Sequence, residues 1–252
     1  MPLLKVVNAG KKFKKNGAQI IGAEHVSFSI EEGECLGLVG ESGCGKSTVA
    51  AMIAGLEKPE EGEILFDGIR IGSGGLRKSV PKGLQMIFQN PSGSFDPRDT
   101  MLQGVMQGAM SMGIYSRSQL REKALELFQY VGLKPEYQDK KASQLSGGEC
   151  QRAAVARALI GNPRLLICDE ATSALDVLVQ AQIISLLKKM KEEKKMAMLF
   201  ITHDLPLAAA LCDRIAVMHR GRIIEQGEAR AVLKFPEREE TKQLIRSVIT
   251  VK

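Results

Sequence analysis

The sequence predicts an α/β protein: a parallel core with a helical insertion. Three observations predict it. Short apolar strands fill the first ninety residues, the pattern turns helical from 91 to about 160, and strand–helix alternation returns after Pro163.

Taken in order, Leu3–Val7, Val26–Ile30, Cys35–Val39, Glu63–Phe66 and Leu84–Phe88 are rich in apolar and β-branched residues. Gly- and Glu-rich turns such as Glu31–Gly33 and Glu60–Gly62 separate them. One helix interrupts this series, from near Lys46 to before Pro59. In the insertion, Ser116 and Gln119 have capping-box spacing and open a helix with Leu120, Ala124, Leu127, Phe128 and Val131 on one face. Leu165–Cys168 is a continuous apolar run, as a buried parallel strand requires. The next helix keeps Ile183, Leu186, Leu187 and Met190 in register, with the charged run Lys188 to Lys195 as its solvated face. Met198–Ile201 and Ile215–Met218 read as further buried strands, and the tail from about 228 as helical.

Composition excludes several classes. The chain has 252 residues, a formal charge of +6, 44% apolar and 25% charged residues, which excludes disorder, collagen-like repeats and a disulfide scaffold. With 4% aromatic residues and no Trp, a base-stacking nucleic-acid module is not expected. No apolar run approaches the roughly 18–20 residues that span a bilayer, and the start MPLLKVVNAGKK is not expected to be a secretory signal. Cys35, Cys44, Cys150, Cys168 and Cys212 are scattered and never paired as CxxC, which suits reduced, buried thiols rather than a zinc site.

Gly40-Glu41-Ser42-Gly43-Cys44-Gly45-Lys46-Ser47 fits GxxxxGK[ST] between an apolar strand and a helix. Glycines let backbone N–H groups converge on phosphate oxygens at a helix N-terminus, Lys46 neutralises the β- and γ-phosphates, and the Ser47 hydroxyl ligates Mg²⁺. The motif alone specifies a nucleotide phosphate, which a kinase, a GTPase or a motor could use. Asp169 and Glu170 follow the apolar run at the C-terminal end of its strand, where α/β sheets place their sites. Asp169 is placed to hold the Mg²⁺ shell, and Glu170 to accept a proton from attacking water.

Between these motifs, Leu145-Ser146-Gly147-Gly148-Glu149-Cys150-Gln151-Arg152 resembles the LSGGxxQR signature of the ATP-binding-cassette (ABC) ATPase family. Other family elements follow the same order: Gln89 matches the Q-loop, Ser173-Ala174-Leu175-Asp176 the D-loop and His203 the switch histidine. Phe13, 27 residues ahead of Gly40, stands where the family has an aromatic that stacks on adenine. The resemblance covers essentially the whole chain. It implies a RecA-like core with an N-terminal antiparallel β subdomain (1–90 and 161–227), a helical signature subdomain (91–160) and a short C-terminal helical tail (228–252).

The resemblance also implies roles. ATP lies on Phe13 and the loop Gly40 to Thr48, while Ser47, Gln89 and Asp169 hold Mg²⁺, Asp169 through water. Glu170 is the water-polarising carboxylate, His203 contacts the γ-phosphate and Gln89 senses it. Ser146, Gly147, Gly148 and Glu149 open a helix whose N-terminus closes on the ATP of a second cassette, a paralogue or a second copy, and Asp176 communicates across that dimer. Two departures accompany it: Ala171 stands where many relatives have Pro, and Phe13 where Tyr is commoner. Cys44, near a helix N-terminus, is expected to have a lowered thiol pKa, with redox control or plain loop filling as its two readings.

The stretch IFQNPSGSFDPRDT is similar to the oligopeptide, dipeptide and nickel importer branch. That similarity implies an ATPase at the cytoplasmic face of a membrane, peripheral to two integral permease subunits. A substrate-binding protein outside the membrane is served indirectly. The short C-terminal end favours nickel or metal-chelate cargo over peptides, and a soluble ABC ATPase with a regulatory or assembly role is the alternative. Met101, Met106, Met110 and Met112 cluster after Gln89, either as an adaptable surface for a permease helix or as the core of their own subdomain.

Overall fold

Why the strands lie where they do follows from which residues can be hidden. The computed structural model describes residues 1–15, 18–72, 81–110, 112–113, 115–171 and 176–249. Its strands are β1 (Leu4–Lys15), β2 (Ala18–Ile30), β3 (Cys35–Val39), β4 (Glu61–Phe66), β5 (Ile69–Arg70), β6 (Leu84–Ile87), β7 (Leu165–Asp169), β8 (Ala197–Thr202), β9 (Arg214–His219) and β10 (Arg222–Glu228). Its α-helices are α1 (Lys46–Ile53), α2 (Met101–Met110), α3 (Arg117–Tyr130), α4 (Gly147–Leu159), α5 (Val177–Lys194), α6 (Leu205–Leu211), α7 (Ala229–Lys234) and α8 (Glu239–Ile249). The chain divides into two compact units, Met1–Pro81 with Met190–Lys252, and Lys82–Lys189.

The first unit contains an antiparallel sheet in the order β2-β1-β4-β5. Along the end of β2, Val26, Phe28 and Ile30 are buried while Ser27 and Ser29 are half-buried, the alternation of a strand with one covered face. The same unit contains β3, flanked by β8 and β9 in parallel, with β10 antiparallel on β9. All five residues of β3 and all six of β8 are buried, so their continuous apolar runs are covered on both faces. Burying each large aliphatic side chain there contributes about 1.5–3 kcal/mol. Val39 pairs with Thr202 of β8 and with Val217 of β9, so the three strands end at one edge.

The second unit holds β6 parallel to β7 and the helices α2 to α4. Ser116 caps α3 as its spacing predicts: its hydroxyl accepts from the Gln119 N–H, and Gln119 Oε1 accepts from the Ser116 N–H at 2.8 Å. Leu120, Ala124, Phe128 and Val131 are buried as expected, and Leu127 is half-buried.

Several elements differ from the expectation. β1 and β2 run far beyond Leu3–Val7 and Val26–Ile30, because their polar extensions pair with each other. β5 and β10 are unexpected strands; β10 is a half-exposed edge strand whose charged sequence hides its alternation. α1 stops at Ile53, short of Pro59, where Gly55 turns left-handed (φ +71°) and Leu56 and Glu57 donate N–H bonds back to Ala51 O. The methionines divide. Of the four after Gln89, Met101 and Met106 are buried in their own unit, Met112 is half-buried and Met110 is 54% exposed. All five cysteines are buried thiols, with Cys35 Sγ and Cys212 Sγ 3.6 Å apart.

Candidate functional site

In the first unit, β3 delivers the chain into the loop 40–48. Gly45 caps α1 with φ +112°, and a Cβ there would stand 2.0 Å from Gly22 O, so only glycine fits. No side chain caps the start of α1, which leaves that N-terminus to an anion. Lys46 is 4% exposed, and its ammonium donates to Gly40 O and Glu41 O at 2.8 Å each. A charge is thus folded over the loop and satisfied by carbonyls that phosphate oxygens could replace. Glu41, Ser42, Gly43 and Ser47 are exposed, and Gly43 faces open space, so the loop has room for the phosphates.

Support comes from the β9–β10 turn, where Gly221 N–H donates to Cys44 O at 2.8 Å. Phe13 of β1 reaches the same loop. A Cβ on Gly22 would lie 2.6 Å from its ring and 2.9 Å from the Thr48 methyl, so Gly22 lies between the two side chains. His203, exposed, follows β8 at the edge where β3 also ends. Its corner is held by Asp204, whose N–H donates to Thr202 Oγ1 and whose carboxylate caps α6 through the Leu207 N–H. Phe13, the loop and His203 therefore belong to one unit.

Cys44 corrects an expectation. Its thiol pKa is raised, because burial outweighs the attraction of Lys46 and the loop's backbone hydrogen bonds. A helix N-terminus alone would have lowered it; burial of the residue, only 9% exposed, decides the sign. Loop filling is the reading this favours.

In the second unit, Ile87 of β6 pairs with Cys168 of β7, so the residues two positions beyond them emerge side by side. Those are Gln89 and Glu170, and Gln89 Nε2 donates to Glu170 Oε2 at 2.8 Å. Asp169 is buried at 6% exposure as the last residue of β7. Glu170 adopts φ +46°, a left-handed conformation that costs a side chain about 1 kcal/mol and concentrates at functional turns.

The signature residues open α4. The Ser146 N–H and hydroxyl both donate to Glu149 Oε2, at 2.8 and 2.9 Å, and the Glu149 N–H donates back to Ser146 Oγ at 3.3 Å. Hydrogen bonds from the Tyr137 hydroxyl, then from Ser146, hold the Glu149 carboxyl below its ordinary range. Ser146 and Gly147 are exposed, and Ser146 lines a cavity of about 430 Å³ with Lys134, Tyr137 and Arg152. Asp176 caps the start of α5, accepting from the Leu178 and Val179 N–H groups. Ser173, Ala174 and Leu175 of the D-loop expectation lie outside the described residues.

Two residues absent from the sequence-based set stand out. Arg157 of α4 donates to Ser94 O and Ser94 Oγ at 2.6 Å each and stacks 4.2 Å from the Phe95 ring, tying the signature helix to the segment after Gln89. Gln151 of α4, 1% exposed, lines a cavity of about 330 Å³ together with Gln89, Gly147 and Glu170. Gln151 is the glutamine of the LSGGxxQR match, a signal that could have brought it into the set, whereas nothing in the spacing of Arg157 distinguishes it from an ordinary helix residue.

Residues 23–173 match the family described as ABC transporter. The chain is 41% identical over 239 residues to the oligopeptide transport ATP-binding protein AppF of Bacillus subtilis (strain 168), covering 94% of this chain and 73% of that protein. It is 38% identical over 256 residues to the glutathione import ATP-binding protein GsiA of Pectobacterium atrosepticum, covering 98% of this chain but 41% of that longer protein. Among solved structures it resembles the dimeric, post-hydrolysis ATP-binding cassette MJ0796 bound to ADP and Pi. That match has TM-score 0.82 and 33% identity, over 90% of this chain and 99% of that one.

Proposed function

Because the chain belongs to the ABC transporter family, matched over most of its length, we propose that it is the ATP-hydrolysing subunit of an importer whose cargo is a peptide. The observation that carries the reading is the loop 40–48, a glycine-shaped cradle with the Lys46 ammonium resting on its carbonyls. The names of the similar proteins, for oligopeptide and glutathione import, support peptide cargo over the nickel or metal chelate that the sequence favoured, and transport over a regulatory role.

In this reading the loop from Gly40 to Thr48 binds the phosphates of ATP and Phe13 stacks on its adenine. Glu170 takes a proton from a water whose oxygen bonds the γ-phosphorus. The bond from that phosphorus to the β–γ bridging oxygen breaks, giving ADP and phosphate. His203 contacts the γ-phosphate, and Gln89 leaves Glu170 to sense it. Ser47, Gln89 and Asp169 would hold Mg²⁺. They are oxygen donors of the hard kind it prefers. Bound there, Mg²⁺ would offset the charge on the phosphate oxygens.

Ser146 to Glu149 close on the nucleotide of a second cassette, a paralogue or a copy, with Asp176 at that interface. The resemblance to a dimeric cassette supports this arrangement. Two permease subunits and, through them, a substrate-binding protein complete the importer, with the cassette on the cytoplasmic face. Within the described residues no helix is long and apolar enough to cross a membrane. In this reading a permease helix docks at a cavity of about 660 Å³ lined by Leu102, Met106 and Met110 of α2, by Arg117 and Arg121 of α3, and by Asp99 and Asp139.

Glu170→Gln tests the reading. Nucleotide binding should persist while hydrolysis falls at least about 100-fold, the usual contribution of a general base, and ATP should drive a dimer visible by size exclusion. Wild-type turnover, or an ATP-loaded monomer, would reject it.

A further inference from the structure

The Gln151 Nε2 atom is buried without a hydrogen-bond partner among the described residues. An orphaned buried amide destabilises the state that contains it, and methionine or leucine would fill the same space without that penalty. Its position narrows the purpose. The cavity it lines is shared with Gln89, Glu170 and Gly147, so the carboxylate beyond β7 and the opening of the signature helix meet there within one unit. At present Gln89 Nε2 is bonded to Glu170 Oε2, yet a carboxylate accepts several hydrogen bonds and Gln89 is needed elsewhere once nucleotide binds.

We propose that Gln151 is a positioning residue for Glu170: when ATP draws Gln89 away, the Gln151 amide donates to the released carboxylate and takes over its orientation. The inference rests on the functional reading above. Its consequence is a link inside one chain between the base that serves its own ATP and the helix α4, whose N-terminus serves the partner's ATP. Arg157 already binds α4 to Ser94 and Phe95 on the Gln89 segment. The Gln151 bond would add the carboxylate to that connection, so that firing at one site is felt at the other's lid.

The test uses Gln151→Met and Gln151→Leu in the full chain, each followed by thermal melting with and without Mg-ATP and by ATP hydrolysis. Without nucleotide, both variants should melt at or above the wild-type temperature, because an unsatisfied amide is gone. With Mg-ATP the rise in melting temperature should be smaller than in wild type. Turnover should drop about tenfold, the worth of one hydrogen bond to a charged group, with KM for ATP within about twofold. Wild-type turnover and an undiminished ATP-induced rise would overturn the proposal. So would nucleotide-free melting that falls, or soluble protein that is lost, in both variants, since the amide would then hold the fold itself. Glu170→Gln run in parallel separates the two levels. If it hydrolyses ATP normally, the functional reading fails; if it is inactive while Gln151→Met is fully active, only the role of Gln151 fails.

Discussion

A methyl group added to Gly148 would stand 2.7 Å from Val179 Cγ1, so the first turn of the signature helix rests directly on α5. That contact sets how the opening turn of the helix, Ser146 to Gly148, sits against its neighbour. It also explains the glycine through packing, independently of the anion it is proposed to meet.

Gly148→Ala should therefore overpack this contact, costing about 1–3 kcal/mol in urea denaturation and weakening ATP-dependent dimerisation. Adding Val179→Ala removes the obstructing methyls and should recover most of the stability, a non-additive pair. If the double variant is as unstable as the sum of the single ones, the contact is not what requires glycine.

Glu149 makes the same turn pH-sensitive. Its folded-state pKa lies below the ordinary 4.5, chiefly through the Tyr137 hydroxyl and then through Ser146. A depressed acid contributes stability that is present above its unfolded pKa and lost as pH falls through its folded pKa. The melting-temperature advantage of wild type over Glu149→Ala should thus be full above pH about 4.5 and shrink below it. Glu149→Gln, which keeps the reciprocal cap without the charge, should show a flatter profile over the same range.

The methionines of α2 give a matched pair. Met110 is 54% exposed, so Met110→Glu should leave folding and basal ATP hydrolysis intact while lowering transport by the assembled importer. Met106 is 7% exposed, and Met106→Glu buries a carboxylate, costing about 3 kcal/mol or more and depleting soluble protein. Equal transport by wild type and Met110→Glu would remove this face from the permease interface.

Much of the site was legible because its chemistry is local. The loop 40–48 needs glycines at fixed offsets from a lysine, and Asp169 and Glu170 need an apolar strand before them, so both carry their context in consecutive residues. Strands β3 and β7 were readable within their stated bounds for the same reason, being short apolar runs covered on both faces. β10 was not, because an edge strand with Arg222, Glu225 and Glu228 shows no apolar face until β9 supplies its partner. The thiol of Cys44 was misjudged because the helix terminus is visible in the sequence while the burial of its sulfur is not.

The sequence by itself determined the glycine-rich turn at 40–48, the signature turn and the strand-end carboxylates, since each depends on covalent spacing of a few residues. Only the tertiary structure decided that Gln89 and Glu170 share a hydrogen bond across 81 positions, that Arg157 clasps Ser94, and that the buried Gln151 Nε2 meets no hydrogen-bond partner among the described residues. Those relationships arise from strand register and helix packing between distant segments. Periodicity shows that a residue is buried, but which polar atom it meets there depends on what the rest of the chain brings to it.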